Sequence, residues 1–147
     1  MIYLNPEYIQ DYDDGKGVDC RTAVGDVAVF TIPCKIRVHT VAVVVTEDIE
    51  GANTPVISFD RRPVAGSDTG RETDIGYIPI NFAKAGKVFY SHPEETWLEP
   101  GEEMVVKMAQ VLTADIEGGF AGHFRVFLNA DQNGELFVNL TNCTEIN

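Results

Sequence analysis

Residues 36–46 read IRVHTVAVVVT. The first half alternates apolar with polar side chains, and the second half, Val41 to Val45, is wholly apolar. Alternation places successive side chains on opposite faces of a strand, and a short run of β-branched residues marks a strand buried on both faces. Val41 to Val45 is also the longest apolar stretch in the chain, far short of the roughly 18 residues a membrane helix needs. The segment is therefore expected to be a β-strand, and it sets the texture of what surrounds it.

Outward from this strand, similar runs recur at Ala28–Ile32, Val56–Phe59, Ile75–Ile80, Val88–Ser91, Glu95–Leu98, Glu102–Leu112, Gly122–Leu128 and Glu135–Leu140. Turn residues divide them every 8 to 15 positions. No run of about a dozen residues with helical periodicity connects them, so parallel pairing is excluded. The expected fold is all-β: an antiparallel β-sandwich, jelly-roll-like, of about eight strands. Glu99-Pro100-Gly101-Glu102 reads as a turn in which Pro100 presets φ and Gly101 supplies a positive φ. Residues 1–26, rich in Asp, Tyr and Gly, are expected to form an acidic, irregular N-terminal arm. Residues 27–147 are expected to form the sandwich domain.

The chain has 147 residues, enough for one domain with a real core. Its net charge is −12, which opposes direct binding to a nucleic-acid backbone. The acidic start lacks the basic-then-apolar pattern of a secretory signal, so synthesis in a cytoplasm is expected. Cys20, Cys34 and Cys143 are too few and too irregular for a disulfide framework or a zinc site, and are expected as free thiols.

The segment DRRPVAGSDTGR, residues 60–71, has the small residues of a phosphate loop but lacks its Lys-Ser or Lys-Thr. Asp60, Asp68, Glu72 and Asp74 also outnumber Arg61, Arg62 and Arg71, so this is no basic patch. Asn129, Asp131, Asn133 and Gly134 resemble the start of a calcium loop, but Leu140 stands where the bidentate acid belongs. His39, His92 and His123 lie on separate elements without ligand spacing. Ser91 and His92 are sequence neighbours whose side chains would point apart on a strand. No nucleophile, base and orienting group can be named together, so an enzyme is not expected, nor a metal or other cofactor.

The final two runs suggest a contact surface. Phe124, Val126 and Leu128 share one face, as do Leu136, Val138 and Leu140. Both sets reach the core if Val126 pairs with Leu140 across a three-residue Gln132-Asn133-Gly134 loop. Phe127 and Phe137 then lie on the outer face, with Arg125, Asn129 and Asn139 nearby. Such a face serves a partner, or is covered by a loop or the N-terminal arm of the same chain.

The order VISFDRRPVAGSDTGRETDIGYIPI (56–80), AGKVFY (85–90) and LEPGEEMVVKM (98–108) resembles small β-sandwich virion proteins of tailed bacteriophages, the capsid decoration or cement proteins. The likeness covers roughly residues 36–112 and is one of strand order and turn texture. It implies a non-catalytic virion protein that binds and stabilises an assembled capsid shell. It further implies the major capsid protein or other virion proteins as partners, and a homo-oligomer, as a trimer. Neither a membrane nor nucleic acid is an expected partner. In that role Arg61, Arg62 and Arg71 would pair with carboxylates of the partner, and Arg125, Phe127 and Phe137 would add a second contact. The alternative is a receptor- or carbohydrate-binding module on a tail or fibre, using Trp97 or the Phe127 face.

Overall fold

A computed structural model describes residues 2–9, 15–21, 25–63, 73–93 and 96–132. The described residues form eleven strands and no helix. In chain order these are β1 (Ile2–Leu4), β2 (Glu7–Tyr8), β3 (Val18–Asp19), β4 (Gly25–Thr31), β5 (Ile36–Glu50), β6 (Val56–Arg62), β7 (Thr73–Pro79), β8 (Val88–Ser91), β9 (Thr96–Leu98), β10 (Glu103–Gln110) and β11 (Ala121–Gln132). All pairings are antiparallel. The larger sheet has the order β1-β11-β5-β8, with β3 also on β11 and β9 also on β5; the smaller has the order β2-β4-β10-β6-β7. The chain changes sheet at every step between consecutive strands except β6 to β7 and β8 to β9. This is the antiparallel sandwich that the apolar runs imply, with eleven strands where about eight are expected.

The three additional strands lie in residues 2–19, within the segment expected to be an irregular arm. They are two or three residues long, and they place Ile2, Leu4 and Val18 in the core. Gly17 has φ +91, and a Cβ there would run into the backbone oxygen of Phe124. Only glycine lets this segment lie so close against β11.

Both inner faces follow the expected alternation. Phe124, Val126, Leu128 and Ala130 of β11 meet Val41, Val43 and Val45 of β5 on one sheet. Met104, Val106 and Met108 of β10 share the opposite inner face with Phe30, Phe59 and Ile57. Burying a large aliphatic or aromatic side chain contributes about 1.5–3 kcal/mol, and this interior supplies most of the driving force for folding. Tyr8 joins the layers: its hydroxyl accepts from the Val126 N–H at 3.0 Å. The Glu99–Glu102 turn forms as read, with Gly101 at φ +86 and the Glu102 N–H donating to Glu99 O at 3.1 Å.

One local expectation changes. Strand β6 continues through Asp60, Arg61 and Arg62, which the sequence places in a loop, because β10 pairs with all three and β7 with Asp60 and Arg61. Val126 pairs with Val43 of β5, while β1 and β3 occupy the other edge of β11. The expected strand 135–140, with Phe137 and the expected pairing of Leu140 with Val126, lies outside the described residues.

Candidate protein-binding face

The outer faces of the two sheets differ in chemistry. On the larger sheet, residues directly opposite one another form rows across the strands. Tyr3, Asn129 and Thr40 make one row; Phe127, Ala42 and Tyr90 make the next; Arg125, Val44 and Val88 follow; Asp131, Arg37 and Trp97 complete the set. Tyr3 and Tyr90 are each 60% exposed and Trp97 is 38% exposed. Phe127, Val44 and Val88 are half-buried. Aromatic rings and arginine gathered on one surface match the composition of protein-binding hot spots.

The cations of this face are fixed by their surroundings. Arg37 reaches Asp131 at 3.0 Å, and that guanidinium holds the Asp131 carboxyl below its ordinary range. Arg125 donates to the Gly15 carbonyl and lies 5.5 Å from the centre of the Tyr8 ring. Lys35 and Arg37 stand 5.7 and 5.9 Å from the centre of the Trp97 ring. Cation–π contacts of this kind orient the indole at the sheet edge.

The smaller sheet presents acids and bases that serve each other. Arg62 reaches Asp26 at 2.6 Å and Glu103 at 3.8 Å, while Lys107 reaches Asp60 at 3.3 Å and Asp26 at 3.8 Å. At the end of the sandwich Arg61 makes a bidentate pair with Glu102, Nε to Oε2 at 2.6 Å and Nη2 to Oε1 at 2.7 Å. Glu102 is 7% exposed and also accepts the Glu99 N–H at 2.6 Å. Burial alone would raise its carboxyl, but the Arg61 hydrogen bonds and charge, with the Glu99 N–H, outweigh that and hold it low.

The expected contact residues are thus distributed over both sheets. Arg125 and Phe127 share the outer face of the larger sheet, as the alternation of β11 implies. Arg61 and Arg62 lie on β6, each bonded to carboxylates of this chain. Arg71 and Phe137 lie outside the described residues. Tyr3 and Tyr90 were not singled out in the sequence, because only pairing across strands brings them beside Phe127.

Serine, histidine and cysteine side chains that the structure describes are placed as follows. Ser91 is opposite Val41, whose side chain is in the core, whereas the neighbouring His92 is exposed. His123 is 1% exposed and lies between Glu47, at 2.8 Å, and Asp19, at 3.9 Å. Its hydrogen bond is the main influence holding the Glu47 carboxyl low. Burial would raise Asp19, but the hydrogen bonds and charge of Arg21 outweigh it. Cys20 is buried beside this group, and burial, followed by the Asp19 and Glu47 charges, pushes its thiol up to about 12. A thiol so protonated is a poor nucleophile. Cys34 is disulfide-bonded, which corrects the expectation of three free thiols; Cys143 lies outside the described residues. Irregular spacing concealed the bond because cross-linking depends on proximity in the fold.

Two open grooves flank the exposed Phe82. One, of about 650 Å³, has Lys84 and Lys87 in its wall. The other, of about 570 Å³, has Glu50, Asp115 and Glu117. Among the described residues no group of three or more His, Cys, Asp or Glu side chains is placed to hold a metal ion. No helix among them is long and apolar enough to cross a membrane. Comparison with protein-family models, curated proteins and solved structures finds no match for this chain.

Proposed function

We propose that this protein is a non-catalytic viral structural protein that docks on an assembled capsid shell and stabilises it. The observation that carries this reading is the contrast between the outer faces. One holds its charges in ion pairs of its own, and the other offers Tyr3, Tyr90, Trp97 and Phe127 to solvent or a partner. The likeness of residues 36–112 to decoration proteins supplies the identity of the partner, the capsid protein, and the trimeric homo-oligomer. Arg125 gives the docking face a cation on a chain of net charge −12, which favours an acidic contact on the shell.

The test is co-sedimentation of the purified protein with intact shells of its own particle, followed by a thermal melt of the shells. Binding that raises the shell melting temperature is expected. No binding to those shells would overturn the reading.

A tail- or fibre-associated carbohydrate-binding module is favoured by a single observation, the exposure of Trp97. Sugar stacking needs a free ring face, and Lys35 and Arg37 already approach this indole. A glycan array with a strong hit that Trp97→Ala abolishes would establish that reading instead.

A further inference from the structure

His39 and His92, 53 positions apart in sequence, converge on one hydroxyl, that of Thr40. The pairing of Val41 with Ser91 and Ala42 with Tyr90, continued by one residue, places His92 opposite Thr40. On the other side of β5, Asn129 pairs with Thr40 and Ala130 with Val38, so His39 is the extra residue of a bulge. A bulge re-aims a side chain, and here it leaves His39 on the exposed side beside Thr40. His39 Nδ1 lies 2.7 Å from Thr40 Oγ1, and His92 Nδ1 lies 3.2 Å from the same oxygen. The ring centres are 6.1 Å apart at an interplanar angle of 88°. Tyr90 stacks on His92 with centres 6.4 Å apart and planes within 16°.

One hydroxyl has one proton. With both rings neutral, Thr40 donates to one Nδ1 and accepts from the Nδ1–H of the other, so the two imidazoles hold opposite tautomers. Two ring nitrogens aimed at one point are also half of a tetrahedral metal site. A cation bound by both nitrogens at the roughly 2.0–2.1 Å of a Zn–N bond would require them to turn from the Thr40 oxygen onto it.

We propose that His39 and His92 form a two-histidine site for a borderline divalent cation of the Zn²⁺, Cu²⁺ or Ni²⁺ class, its other positions filled by water. Imidazole nitrogen selects this class. Mg²⁺ and Ca²⁺ require oxygen ligands and are rejected. Both rings are exposed, so the cation enters without unfolding. Sequence spacing cannot show the site, because its geometry comes from a cross-strand pair and a bulge. It does not rest on the capsid reading: the cation binds to the free protein.

The test uses the full chain without an affinity tag, stripped with chelator and titrated calorimetrically with ZnCl₂. One equivalent of Zn²⁺ is expected to bind, MgCl₂ to give no heat of binding, and the His39→Gln/His92→Gln double variant to lose the binding. Ring ¹⁵N spectra of the unaltered protein supply a readout independent of any variant. Zn²⁺ should shift the His39 and His92 nitrogens and leave the buried His123 in place. Absence of Zn²⁺ binding, unchanged binding in the folded double variant, or shifts confined to other residues would each overturn the proposal.

Discussion

The two outer faces of the sandwich arise from the same rule of alternation, yet they solve different problems. On the smaller sheet, Arg62 and Lys107 stand among Asp26, Asp60 and Glu103, and each charge has a partner within the sheet. On the larger sheet, the corresponding positions hold Tyr3, Phe127, Val44, Val88 and Tyr90. A face whose charges are already paired gains little from a partner, since breaking its pairs offsets what new contacts contribute. A face of exposed rings gains by removing apolar area from water. The difference teaches that exposed aromatic area, and not the presence of arginine, separates the two surfaces, since Arg37 of the larger sheet is itself paired with Asp131.

The largest effect expected from breaking this contrast is on binding. Tyr3→Ala combined with Tyr90→Ala should weaken attachment to shells by about 30-fold or more, the effect of losing one hot spot of about 2 kcal/mol. The same variant should unfold within about 1 kcal/mol of the unaltered protein, because both rings are largely exposed. Sedimentation with shells and urea unfolding measure the two quantities. Equal losses in Arg62→Ala would erase the distinction between the faces.

Next comes stability at the end of the sandwich. Arg61→Ala strands Glu102, which is 7% exposed, and should lower unfolding free energy by about 2 kcal/mol after discounting for the partial exposure of Arg61. Urea midpoints at neutral pH measure this. A change near zero would return Arg61 to the set of residues available for a partner.

A smaller effect separates the network around His123 and the Glu102 pair from the aromatic face through pH. Asp19, Glu47 and Glu102 all have carboxyls held below their ordinary range in the folded protein. Their contribution is complete above the unfolded carboxylate range of about 4 and is lost as pH falls through the lower folded values. Stability should therefore drop on acidification from pH 5 to pH 3, and Glu102→Gln should flatten that slope. Urea midpoints across this interval decide it.

The smallest effect is expected at Tyr77, 66% exposed on the outer side of the smaller sheet. Tyr77→Ala should leave shell binding unchanged and shift stability by no more than about 0.5 kcal/mol. A large loss of binding would show that the smaller sheet also docks.

Much of this architecture was legible from the chain. The runs that became β4 to β11 announce themselves because a half-buried strand must alternate and a turn must accommodate φ, as at Pro100-Gly101. The inward and outward sides of β11 followed from parity alone. The strands β1 to β3 were hidden because two or three residues carry no period, and β1 and β3 pair with an edge presented only from residue 121 onward, while β2 pairs with β4. The sequence assigns Arg61 to a partner's carboxylate because its own, Glu102, is 41 positions away. The histidine pair was concealed for the same reason, with a bulge added. Sequence pattern reports which way a side chain points; it does not report what waits there.

Strand β1 has one further consequence. It covers three residues of the β11 backbone, Leu128 to Ala130, that would otherwise form a bare hydrogen-bonding rim. A rim of that kind templates pairing with any extended chain that meets it. At this end the sheet thus finishes on a strand of three residues, and a template so short offers an incoming chain few hydrogen bonds.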